Sequence, residues 1–230
     1  MLTRIVNFFG HAAVASWSGE SGARALGSML PDFATMCRAR LAPADDAGVA
    51  AGIELHHATD AAFHTLPPVL ALMRELDDRL AHGGCARGPR RAASHIGTEL
   101  LLDGVLVAEP PYRASYLAGL AHDPSGVRWR EADAAPRFAA LLARLRGHGV
   151  PADLGDASAI AQRLGRMLAH RPLLAPSGDD LRAIARGLAE HAPRVAVAAD
   201  TVMRALRARL ETRSAGDGES PAASSPGSRP

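Results

Sequence analysis

A chain poor in the residues that strands prefer has few ways to fold. Of 230 residues, valine and isoleucine supply only 16 and aromatics 4%, while alanine supplies 48 and leucine 28. β-branched and aromatic side chains fill pleated surfaces, whereas Ala, Leu, Arg and Glu lose little on entering a helix. No stretch of useful length alternates apolar with polar residues, and no internal repeat is present. These facts predict an all-α fold. Helical periodicity between Gly and Pro punctuation predicts helices over 7–17, 22–40, 44–63, 68–82, 90–108, 112–121, 134–147, 156–169 and 179–213. Pro67-Pro68 suits a helix start, and Ser177 followed by Asp179 and Asp180 suits a capped, acidic first turn. Pro31 predicts a break near Leu30. The stretch 123–133, with Pro124 and Gly126, reads as a loop. Residues 213–230 are rich in Ser, Pro, Gly and Ala and bury too little to offset chain entropy, so the expectation is one domain, 1–212, and a disordered tail, 213–230.

Charge and cysteine usage exclude several classes. All 26 basic residues are arginine, so no Schiff-base lysine, Walker-type lysine or kinase-type lysine is possible. Phosphate must be met by arginine, backbone amides, a helix N-terminus or a metal. The net charge of +2 lacks the basic density of a nucleic-acid binder. Cys37 and Cys85 cannot form a disulfide framework or a cysteine-type zinc site. No run approaches the ~20 apolar residues of a membrane span. The run from Ile5 to Ala15 imitates the apolar core of a signal peptide, but Asn7 and His11 interrupt it, and the chain is read as cytoplasmic.

Histidine carries the chemical signal. His56, Asp60 and His64 recur every fourth residue, and so do His95, Glu99 and Asp103. At 3.6 residues per turn each step drifts by about 40°, so each series lies along one helix face. Either series alone reads as ordinary surface pairs. Two together, with His11 and Asp32 in apolar surroundings, read as a divalent-cation site, because imidazole nitrogen and carboxylate oxygen suit Mn, Fe or Zn and a cation removes the cost of burying carboxylates. The clusters Arg87/Arg90/Arg91 and Arg204/Arg207/Arg209 read as solvated faces, Trp17 and Trp129 as packing, and His82, His122, His148, His170 and His191 as surface residues.

Five short motifs then resemble one family in order and spacing. Asn7-Phe8-Phe9-Gly10-His11 is similar to the N-terminal signature of acyl carrier protein phosphodiesterases, an all-helical branch of the HD-domain metal-dependent phosphohydrolases. Residues 27–33 (GSMLPDF), 51–60 (AGIELHHATD), 98–103 (TELLLD) and 167–172 (MLAHRP) resemble its later motifs. The likeness covers roughly residues 5–108 and 156–208. It implies an HD-domain-like helical bundle that hydrolyses the phosphodiester joining 4′-phosphopantetheine to acyl carrier protein, with a divalent cation, typically manganese; Fe, Mg and Zn remain open. Carried over by position, His11, Asp32, His56, Asp60 and Asp103 become the expected metal ligands. The chain departs from the family at Ser28, His57, Thr65 and Gly104.

Glu99, His57 and His95 are the expected proton-transfer groups, and Arg91 and Arg171 the expected phosphate contacts. Acyl carrier protein is the implied partner, with no nucleic acid and no membrane. Two other readings stand beside this one: the same centre acting on a nucleotide or small phosphoester, and a helical binding module without turnover.

Overall fold

Two glycines let a pair of helices touch backbone to backbone. A Cβ added at Gly27 would lie 2.2 Å from the Val49 carbonyl oxygen, and one at Gly52 would lie 2.3 Å from the Arg24 carbonyl oxygen. No other residue type fits either position without separating the helices. These helices are α2 (Gly22–Met36) and α3 (Ala47–Phe63). Ser21 caps the first and Asp46 the second, each accepting a backbone N–H three residues on.

A computed structural model describes residues 8–19 and 21–217. Its further helices are α1 (Phe8–Ala15), α4 (Pro67–His82), α5 (Arg87–Leu106), α6 (Pro110–Ala121), α7 (Ala134–His148), α8 (Ala157–Leu168) and α9 (Gly178–Asp217). The only strand-like pairing among the described residues is an isolated antiparallel bridge, Leu41 with Trp129, which fastens the loop before α7 to the segment before α3. The chain is therefore an all-α bundle, as its composition predicts.

Helix α1 is the central strut. It touches α2, α3, α5 and α6, and all its residues from His11 to Ala15 are buried. The apolar run in the sequence is thus core packing from Phe8 onward; residues 1–7 lie outside the described residues. The long α9 lies across α3, α4, α5 and α8. One apolar cluster joins these elements, with Phe9, Leu26, Met29, Leu30, Phe33, Leu76, Ile96, Leu100, Tyr116 and Leu188 at its heart.

Three expectations need correction. Helix α2 runs through Pro31 without a break. Leu26, Met29 and Leu30 on one side and Phe33 on the other are all fully buried, so packing on both flanks outweighs the ~3 kcal/mol that an internal proline costs. His191 is fully buried rather than on the surface, because it falls in the stripe Ile184, Leu188, His191, Val195 and Val202 along the inner face of α9. Helix α9 also continues past residue 213 to Asp217, since each residue added to an existing helix gains a bond at little cost. The rest of the expected tail, 218–230, lies outside the described residues.

The start of α5 is held by a carboxylate from α9. Asp180 accepts from the Ala86 N–H at 2.7 Å, the Ser177 N–H at 2.9 Å and the Ser177 hydroxyl at 2.7 Å. Ser177 Oγ accepts in return from the Asp180 N–H, which completes a capping box. Burial alone would raise the Asp180 carboxyl, but these donors outweigh it and hold its pKa at about 2.

Two predictions follow from this framework. Gly52→Ala should cost about 3 kcal/mol in urea unfolding, whereas Gly147→Ala, with nothing within 4 Å of the new Cβ, should change stability by no more than ~1 kcal/mol and in the favourable direction. Asp180→Asn should cost about 1.5–3 kcal/mol at neutral pH. Because the folded pKa lies below the ordinary 3.8, the stabilisation is complete above that value and is lost as pH falls towards 2. Thermal midpoints of the two proteins should converge over that window, and a constant gap would disprove the role.

Candidate metal centre

Four elements bring polar side chains to the inner end of α1. His11 comes from α1, Asp32 from α2, His56 and Asp60 from α3, and Glu99 and Asp103 from α5. His11, Asp32, His56, Glu99 and Asp103 are all buried. The Gly27–Gly52 contact sets the relation between α2 and α3, and with it the first polar contact of the site. His56 Nδ1 stands 2.9 Å from the Ser28 carbonyl oxygen. A carbonyl only accepts, so Nδ1 carries the proton and Nε2 carries the lone pair.

That lone pair faces a carboxylate. His56 Nε2 lies 3.5 Å from Asp60 Oδ2, yet it makes no hydrogen bond among the described residues. His11 Nε2 lies 3.3 Å from the other oxygen, Oδ1, and the two imidazole rings stack at 3.9 Å. Burial, then the neighbouring His11, push the His56 pKa down to about 3. His11 behaves oppositely: burial lowers its pKa, but Asp60, Asp32 and Glu99 outweigh it and leave it raised. An imidazole lone pair aimed at a carboxylate oxygen is repulsive unless positive charge lies between them.

The donor set fits a divalent cation. One nitrogen from each histidine and one Asp60 oxygen lie within 4.8 Å of one another. Ligand bonds of ~2.0–2.2 Å around one ion separate neighbouring ligand atoms by roughly 3–3.5 Å; His11 Nε2 and His56 Nε2 stand at 3.3 and 3.5 Å from the two different oxygens of Asp60, so the carboxylate is shared between the two rings. Beside them is a pocket of about 30 Å³, lined by His11, Thr59, Asp60, His64 and Asp103 among others. That is room for an ion or a water molecule. The Thr59 hydroxyl is buried there and makes no hydrogen bond among the described residues.

Asp103 stands at the edge of this group. Its carboxylate presses on Gly10, where a Cβ would meet Oδ1 at 2.8 Å, and the Gly10 amide bonds to it. It thereby satisfies an otherwise open N–H in the first turn of α1. Burial, then Glu99 and Asp32, raise its pKa well above the carboxylate range.

His64 shares the pocket with Asp60 but pairs with a different carboxylate. After two drifts of about 40°, at the C-terminal cap of α3, it faces α5 instead. His64 Nε2 and His95 Nε2 lie 3.7 and 3.1 Å from the same oxygen, Glu99 Oε1. The structure thus gathers His11, His56 and Asp60 in one group and His64, His95 and Glu99 in a second.

The remaining expected residues are more scattered. His57 is exposed on the outer side of α3, where it meets His56 only edge-on and lines a separate cleft with Arg130 and Glu54. Arg91 is exposed on α5, four residues before His95 in the same series. Arg171 lies in the turn after α8, with its backbone carbonyl capped by the Leu174 and Ala175 amides. Three contributors escaped the sequence reading: the Ser28 carbonyl and the Gly10 amide, which as backbone groups leave no mark in residue type, and the Thr59 hydroxyl, which lines the pocket one residue before Asp60.

Comparison of the chain with protein-family models, with curated proteins and with solved structures yields no match in any of the three. No helix among the described residues is long and apolar enough to cross a membrane.

Cation binding should appear as stability. With Mn²⁺ in hundredfold excess over its Kd, the folded state should gain about 2.7 kcal/mol, read as a rise in thermal midpoint that a chelator reverses. Asp60→Asn should abolish most of that rise. An equal rise in the variant would remove this group as the binding site.

Proposed function

We propose that the protein is a metal-dependent phosphodiester hydrolase. The observation that carries this reading is the His56 lone pair, fixed by Ser28 and aimed at Asp60 beside His11. When bound there, a divalent cation polarises a phosphoryl oxygen and lowers the pKa of a bound water. His11, His56 and Asp60 would hold it. The small pocket against Thr59 would leave room for such a water. Manganese is the preferred ion, since the mixed nitrogen and oxygen donors suit it and the motif resemblance implies it.

The finer reading is removal of 4′-phosphopantetheine from holo-acyl carrier protein. It rests on the five motifs and agrees with the shape of the site. The scissile phosphodiester of such a substrate lies against the carrier surface, so it reaches only a centre with an accessible rim. Asp60 is 19% exposed, and His64 and His95 are 36% exposed, which gives that rim. Arg91, exposed on α5 four residues before His95, is the arginine we assign to phosphate or to an acidic carrier surface. No lysine exists to share the task.

The experiment is a mass-shift assay of holo-carrier protein with Mn²⁺-loaded enzyme, run beside a bis-aryl phosphodiester. Release of the phosphopantetheine arm is the expected result. His56→Ala and Asp60→Asn should each lower kcat/KM on the order of 10³-fold, the several kcal/mol a Lewis-acid metal contributes. Cleavage of the aryl ester alone would move the substrate to a nucleotide or small phosphoester. Metal binding with no turnover of either would leave a binding module.

A further inference from the structure

We infer that the second group, His64, His95 and Glu99, is a second cation site at the rim of the centre. The geometry is that of converging ligands. Two imidazole rings from different helices stack at 4.8 Å and 28°, and both present Nε2 to one carboxylate oxygen. A surface His–Glu pair needs one imidazole; here the C-terminal cap of α3 brings a second to the same oxygen. All three ligand atoms lie within 4.8 Å of one another.

Burial and charge point the same way. Glu99 is only 4% exposed, and the ion-pair partners of its carboxylate are these two histidines. A buried carboxylate needs positive charge close by. His64 also has a buried Nδ1 that makes no hydrogen bond among the described residues. Besides the long 3.7 Å approach of Nε2 to Glu99, its ring is held by the stack on His95 and an edge contact with Phe63. A cation on Nε2 would fix it. The ligand class is nitrogen-rich with one carboxylate, suited to Mn²⁺, Fe²⁺ or Zn²⁺ rather than to Ca²⁺ or Mg²⁺.

The two groups are neighbours. His64 lines the same pocket as His11 and Asp60, and Asp60 acts electrostatically on both His64 and His95. They differ in access. The inner group has two buried histidines, whereas the outer group has two at 36% exposure. An ion there would therefore exchange more readily, and the exposure of His64 and His95 would leave it open to a phosphate oxygen from solvent. The inference takes the inner cation from the function proposed above but needs no turnover.

Metal counting decides it. The full chain is stripped with chelator, reloaded with Mn²⁺ alone, passed through a desalting column and assayed for manganese per chain. Wild type should hold two ions, His95→Ala one and His56→Ala one, and short dialysis should remove the ion that His95→Ala lacks. His64→Gln should reproduce His95→Ala, and circular dichroism should show both variants folded. A single ion in wild type, unaffected by His95→Ala, would overturn the second site. Loss of all manganese in His95→Ala would also overturn it, because the six side chains would then form one shared site. Two ions in a chain that hydrolyses nothing would uphold the second site and sink the hydrolase reading instead.

Discussion

The contact of Gly27 with Gly52 is the constraint from which the centre is built. Helices normally pack with axes 8–10 Å apart, held off by side chains. Here neither helix has a side chain at the crossing, and a Cβ at either glycine would sit well inside contact distance of the opposite backbone. Close approach puts the Ser28 carbonyl within hydrogen-bonding reach of His56, one turn beyond Gly52. Had α2 stood off further, His56 would lose the bond that selects its tautomer. Nε2 would then no longer be fixed as a lone pair. Packing and metal chemistry are therefore one constraint: the residue that permits the approach carries no chemistry, and the residue with chemistry depends on it.

The other helices complete the group by similar backbone means. Helix α1 delivers His11, and its first turn is held by Asp103 through the Gly10 amide. Helix α5 delivers Asp103, Glu99 and His95 on one face, and its own start is held by Asp180 from α9 through the Ala86 amide. The long α9 contributes no ligand to either group. It seals the pocket with Met203 and Leu206 and fixes the register of α5. Each ligand-bearing helix is thus oriented by a bond between a side chain and a main-chain group.

Much of this was legible in the sequence, for definite reasons. The scarcity of strand-forming residues excluded sheets, and Gly and Pro punctuation gave all nine helices among the described residues. Four-residue spacing identified His56 with Asp60 and His95 with Glu99, because that spacing is a property of the helix itself. The partition of the six side chains into two groups was not legible. It depends on how far His64 has rotated around α3 and on which helix it then faces, and both are tertiary facts. His57 illustrates the limit. One residue from His56, it is turned by about 100° around the helix and ends on the outer face, so sequence adjacency to a ligand said nothing about its place. Pro31 and His191 were misread for a related cause: local rules price a residue by itself, while both are held by packing from other elements.

The missing lysine acquires its meaning at the rim. An ammonium on a flexible stem can follow a buried carboxylate and neutralise it; a guanidinium is larger, planar and demands a fork-shaped partner. Arginine is excluded from a space lined by Phe63, Leu102 and Leu106 with room for little more than a water molecule. The arginines nearest the centre act from outside it, as Arg163 does when it weakly lowers the Asp103 pKa against the pull of burial. In such a chain the positive charge compatible with the inner carboxylates must be compact. Only a proton on histidine or a small cation meets that requirement. The raised His11 and the lowered His56 show how unevenly a proton serves two stacked imidazoles: it charges one ring and leaves the other's lone pair facing Asp60. A divalent ion would satisfy both rings and the carboxylate together, which a single proton does not, and that is what makes the group a candidate metal centre.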